Sequence, residues 1–128
     1  MNRVLIVDDE PSILGYMAPI INGIGYHTMV ASSAKEALGI YLKESPGIVL
    51  TDLNLGDSMD GVSLCSRIVY ENRSTVVIAM SGFFSVYDKA YCLEAGFGDF
   101  LSKPVSTDDL KSALDCAFAR RSRWLKAR

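Results

Sequence analysis

Short apolar runs recur along this chain at intervals that a helix fills, and four of them stop on residues that carry chemistry. Val4-Leu5-Ile6-Val7 runs into Asp8-Asp9, Ile48-Val49-Leu50-Thr51 into Asp52, Val76-Val77-Ile78-Ala79-Met80 into Ser81, and Phe100-Leu101-Ser102 into Lys103-Pro104. Apolar, β-branched runs of this length bounded by polar residues are strands buried on both faces, and strands separated by helical stretches pair in parallel. The reading is strand 3–7, helix 10–24, strand 26–31, helix 33–43, strand 47–51, helix 60–71, strand 75–80, helix 84–95, strand 99–102 and a helix from 107 onward. Such alternation predicts right-handed βαβ crossovers with helices on both faces of one parallel sheet. Ligands bind such sheets at the carboxyl ends of the strands near the topological switch point, so the four polar ends are expected to meet in one crevice. Three carboxylates, a hydroxyl and an ammonium gathered there make a site for a divalent cation and a phosphoryl group.

Local signals support the alternation. The first helix places Ile13, Met17, Ile20, Ile21 and Ile24 at helical spacing. Pro11 suits a first turn, whereas Pro19 removes a mid-helix hydrogen bond and predicts a kink or local unwinding around Gly15–Pro19. Ser32-Ser33-Ala34-Lys35-Glu36 supplies a cap and an early acid for the second helix, and Ser106-Thr107-Asp108-Asp109 does so for the last.

At 128 residues, 49% of them hydrophobic, the chain is one domain that buries its core without staples. It has no run of about twenty apolar residues and no basic, apolar leader before its first strand, which makes the cytoplasm the expected setting, with no membrane association. Cys65, Cys92 and Cys116 are odd in number and widely spaced, and are expected to be small core residues. His27, the only histidine, has no companions for a metal or hydrolase triad and is expected to be structural. Charge divides the chain unevenly. Five of its 13 basic side chains lie in Arg120–Arg128, which holds no acid, so residues 1–119 carry 8 basic against 15 acidic side chains. A body so acidic argues against direct nucleic-acid binding.

The acidic pair after the first strand, the lone aspartate ending the third, the serine ending the fourth and the Lys-Pro ending the fifth are specific in combination. Over residues 1–119 the chain resembles the receiver domain of two-component response regulators. The resemblance implies a flavodoxin-like doubly wound fold with strand order 2-1-3-4-5 and a signalling module rather than an ordinary enzyme. It makes Asp52 the phosphoacceptor, loaded from a histidine kinase or phosphotransfer protein and emptied by intrinsic dephosphorylation. Mg²⁺ or Mn²⁺ would rest on Asp8, Asp9, Asp52 and the backbone carbonyl of Asn54. Lys103 and Ser81 would contact the phosphoryl group, Ser81 and Phe100 would switch, and Pro104 would follow a cis peptide bond. The surface of the fourth helix, fifth strand and fifth helix would meet an effector or output domain. Taken singly, each feature has a plainer reading: Asp8-Asp9-Glu10 as acids at a helix N-terminus, Asp52 as a turn residue. Four coincidences at strand ends outweigh those readings taken one by one.

Two departures from the family pattern stand out. The loop after Asp52 has Gly56 where most members have proline, and one more residue before Asp60-Gly61, which predicts a more flexible loop. Phe83 occupies a position where a polar residue often places the hydrolytic water, so Asn54 and Phe83 are the expected hydrolysis-control positions, with Phe83 slowing water attack. The fourth helix is rich in aromatics: Phe83, Phe84, Tyr87 and Tyr91, the tyrosines sharing a face. A dehalogenase-type phosphatase would need a second aspartate at position 54, which is Asn54, and a flavodoxin-like electron carrier would need a phosphate-binding loop where Asp8-Asp9-Glu10 stands. Residues 120–128 read as a basic tail or the start of a linker helix. In the linker reading, Leu110, Leu114, Ala117, Phe118, Trp124 and Leu125 form a seam broken by Arg121, with Trp124 and Leu125 exposed for another helical segment.

Overall fold

The computed structural model describes residues 2–56, 59–82 and 89–127. Strand and helix alternate as β1 (Arg3–Val7), α1 (Pro11–Ile24), β2 (His27–Ala31), α2 (Ala34–Glu44), β3 (Ile48–Asp52), α3 (Gly61–Glu71), β4 (Val76–Ser81), α4 (Lys89–Glu94), β5 (Asp99–Ser102) and α5 (Thr107–Lys126). All five strands are parallel in the order β2-β1-β3-β4-β5, the doubly wound flavodoxin-like arrangement expected from the sequence.

The two-residue period of the strands divides the core between two faces. Leu5, Val7, Val49, Val77 and Ala79 face α2, α3 and α4, where they meet Ala37, Tyr41, Leu64, Ile68 and Cys92. Val4, Ile6, Ile48, Leu50, Ile78 and Met80 face α1 and α5, against Met17, Ile21, Leu110 and Leu114. Because both faces are covered, every residue of β3 and β4 is buried, which is why these strands read as unbroken apolar runs. Burial of each large side chain here contributes roughly 1.5–3 kcal/mol against exposure. The helix starts follow the cap signals: Ser33 accepts from the Glu36 N–H, Asp60 from that of Ser63 and Ser106 from that of Asp109.

Four expectations need correction or restriction. First, α1 runs without interruption through Pro19, so local unwinding is absent. Pro19 and Gly15 both lie on the exposed side, where the carbonyl that loses its partner meets water and the four-residue-earlier position carries no side chain. Second, Cys65 and Cys92 are buried but Cys116 is exposed, because it lies on the outward side of α5. Third, Trp124 is half-buried in a groove with Arg73 and Arg120, since α5 continues beneath the sheet; Leu125 is exposed as expected. Fourth, of the helix expected over 84–95, α4 is described from Lys89; Phe83, Phe84 and Tyr87 lie outside the described residues, while Tyr91 is exposed. His27 is exposed at the start of edge strand β2, its N–H donating to Asn2 O at 2.8 Å.

Gly61 opens α3 pressed against the end of β3. A Cβ there would collide with the Asp52 carbonyl oxygen and stand 2.9 Å from Leu53 Cα, both backbone atoms that cannot turn away. Gly39, exposed inside α2, has nothing within 4 Å of the same position. Gly61→Ala is therefore expected to cost about 2–3 kcal/mol in urea unfolding, and Gly39→Ala to gain roughly 0.5–1 kcal/mol from helix propensity.

Candidate functional site

Four strand ends deliver the site. The strand order reverses between β1 and β3, so the loops leaving them diverge and open a crevice at their carboxyl ends. Asp8 follows β1, with its N–H tied to Ala31 O at 3.1 Å, and Asp52 is the last residue of β3. Beyond β5, the Lys103 N–H donates to Ser81 O at 2.7 Å, which fixes the lysine beside β4. From there the Lys103 ammonium reaches both carboxylates, 2.7 Å from Asp8 Oδ2 and 3.1 Å from Asp52 Oδ2. Asp8 and Asp52 are buried and Asp9 is exposed at the rim, and one carboxylate oxygen from each lies within 4.8 Å of the others.

One ammonium facing three carboxylates leaves acidic charge in excess, two of the carboxylates being buried. Burial pushes the Asp52 carboxyl above the ordinary aspartate range, aided by the charge of Asp8 and opposed by Lys103 and the Asn54 N–H. Burial works against the Lys103 ammonium too, yet the hydrogen bond to Asp8 and the charges of Asp52 and Asp8 hold it above the ordinary lysine range. Lys103 is thus locked as a cation. Clustered hard oxygen donors with unbalanced negative charge suit a divalent cation such as Mg²⁺.

The remaining site residues stand around this centre. Ser81 is buried, and its hydroxyl donates to Gly82 O at a long 3.4 Å instead of to the carboxylates. Phe100 is half-buried against the α2–α4 side of the core. The Lys103–Pro104 peptide bond is cis. Asn54 is exposed, and its N–H donates to Asp52 Oδ1 at 3.3 Å. Phe83 lies outside the described residues, as do Asp57 and Ser58 of the lengthened loop; Gly56 is exposed, a Cβ there 3.3 Å from Asp9 Oδ2.

Several supporting contacts escaped the sequence reading. The Glu10 N–H donates to Asp8 Oδ1 at 3.0 Å and so orients the buried carboxylate. Leu53 donates to Met80 O and accepts from the Gly61 N–H, both at 3.1 Å, which anchors the backbone after Asp52 at two points. The signal for that second anchor was present as Asp60-Gly61: a cap followed by a residue without a side chain at the first helical position.

Comparison with known proteins agrees with this geometry. Residues 4–115 match the family model of the response regulator receiver domain. The chain is 34% identical over 124 residues to the sensor histidine kinase RcsC of Salmonella typhi, covering 97% of this chain and 13% of that protein. It is 32% identical over 108 residues to the transcriptional regulatory protein YxdJ of Bacillus subtilis, covering 84% of this chain and 46% of the relative. The chain thus spans less than half the length of these curated relatives. Among solved structures, a receiver domain protein from Clostridium thermocellum superposes with a TM-score of 0.90 at 25% identity, covering 97% of this chain and 99% of that one. NtrX from Brucella abortus does so with 0.92 at 27%, covering 99% of this chain and 29% of NtrX. Strand order, crevice and family model converge, and the chain belongs to the response regulator receiver domains of two-component signalling.

Proposed function

We propose that the chain is a phosphorylation-controlled switch whose phosphoacceptor is Asp52. The observation that carries this reading is the Lys103 ammonium held between Asp8 and Asp52, with Asp9 completing a three-carboxylate cluster. The Asp52 carboxylate attacks phosphorus and the imidazole of a kinase or phosphotransfer-protein phosphohistidine departs, leaving an acyl phosphate on Asp52. Asp8, Asp9, Asp52 and the backbone carbonyl of Asn54 would hold Mg²⁺ or Mn²⁺, which neutralises the charge between carboxylate and incoming phosphoryl oxygens. Lys103, already protonated, exchanges its contact with Asp52 for one with a phosphoryl oxygen.

Readout follows from the weakest bond at the site. The Ser81 hydroxyl gives up its 3.4 Å contact with Gly82 O for a phosphoryl oxygen, and Phe100, half-buried beside β4, turns into the space released. The surface of α4, β5 and α5 then differs between the two states and is where an effector or output domain reads them. Hydrolysis returns the domain to its resting state, with Asn54 and Phe83 governing the approach of water. Residues 1–119 form the switching unit in this reading, and 120–128 lead into whatever it controls.

Incubation with acetyl phosphate and Mg²⁺ is expected to add one phosphoryl group by intact mass, with none added to Asp52→Asn or in EDTA. Lys103→Ala is expected to load at least about tenfold more slowly, through loss of charge at the transition state. Uptake by Asp52→Asn equal to that of the unaltered chain would overturn the assignment.

The raised carboxyl of Asp52 also makes a statement about stability. A group with a raised pKa in the folded state contributes stability below its unfolded pKa and loses it as pH rises through the folded value, so at neutral pH ionised Asp52 is a cost. Asp52→Asn is therefore expected to raise urea stability in EDTA at pH 7, with the gap narrowing as pH falls through the Asp52 titration. Added Mg²⁺ is expected to stabilise the unaltered chain and not the variant.

A further inference from the structure

A second polar cavity lies at the opposite end of the sheet, where β3, β4 and β5 begin. It is a groove of about 300 Å³ between the loop before β4 and the last turns of α5, and Arg73, Ser74, Arg120, Arg121 and Trp124 line it. Two consecutive arginines of α5 reach it, each laid over a residue without a side chain, Gly98 in the groove and Gly47 in the cavity beside it. Arg120 Nη1 donates to Gly98 O at 3.1 Å, and the Arg121 guanidinium lies over Gly47, where a Cβ would come within 2.7 Å of Nε. The seating brings both arginines in under the sheet.

Within the groove their charge has no acidic partner; Glu44 and Asp99 line adjoining cavities that Arg121 and Arg120 also reach. Among the described residues, Arg73, Arg120 and Arg121 pair with no carboxylate, and no acidic residue lines the groove. Arg121 Nε is shielded from solvent and has no acceptor. That donor is packed over Gly47, so it is the rest of the guanidinium that is left to meet a ligand, and its unmet bond is a cost the fold carries. Three guanidinium groups exceed what one carboxylate neutralises, whereas they match a doubly or triply charged phosphate and can bind it in bidentate fashion.

We propose that this groove is a binding site for a phosphate-bearing small molecule, held by Arg73, Arg120 and Arg121 beside Trp124. It is separate from the Asp52 crevice, since strands of five and six residues lie between them, roughly 15–20 Å of sheet. Two sources supply the chemistry, a bare phosphate chain or a nucleotide. In the second case a planar ring would lie beside Trp124.

Trp124 is the only tryptophan, so its indole N–H gives a single resonance that reports on the groove alone. The full chain in EDTA and low salt would be titrated with pyrophosphate, AMP and ATP, with calorimetry in parallel. Saturable movement of that resonance is expected, with a dissociation constant below about 1 mM for at least one of the three. Arg73→Gln and Arg121→Gln are each expected to weaken it about tenfold while loading normally with acetyl phosphate, which shows that they fold. Nucleotides binding at least about tenfold more tightly than pyrophosphate would identify ring recognition; equal affinities would identify the phosphate chain itself as the ligand. An unmoved Trp124 resonance at about 10 mM of all three, or arginine variants that bind as tightly as the unaltered chain, would overturn the proposal.

Discussion

One ammonium holds the functional end of this molecule together. Lys103 sits between two buried carboxylates that would otherwise repel each other across the mouth of the sheet, and its position is fixed by a main-chain bond to the end of β4. The arrangement is deliberately short of positive charge: Asp9 remains at the rim and Asp52 is pushed towards its neutral form by burial. Such a centre favours an added cation, because positive charge relieves an imbalance that the fold itself maintains. The same imbalance sets buried charge against the packing of the core, a frequent trade at functional sites.

Much of this was legible in the residues. β3 and β4 are buried on both faces, so their sequences lack alternation and stand out as apolar blocks, and the polar residue that ends each block marks the crevice edge. Asp8, Asp52 and Lys103 were found in that way. What escaped has a common physical origin in contacts between distant segments. The closeness of Gly61 to the Asp52 carbonyl, the seating of Arg121 over Gly47 and the half-burial of Trp124 depend on how α3 and α5 dock, and helical period says nothing of where a helix is laid down. Cys116 was misplaced for a related reason: a small apolar residue fits either side of α5, and packing alone chose the outer one. Pro19 shows the converse, a strong local signal muted because its side of α1 faces water.

Register ties the core to the chemistry. Val7 pairs with Thr51, Asp52 with Met80 and Ser81 with Ser102, and in β3 and β4 odd and even positions are divided between the two faces of the core. A slip of one residue in either strand would exchange the side chains packed on its two faces and, in the same movement, carry a carboxylate or hydroxyl about 3.3 Å along the crevice. A close-packed interior resists that exchange of unlike shapes, so a chain that packs its core has thereby proofread the spacing of the polar groups at its strand ends.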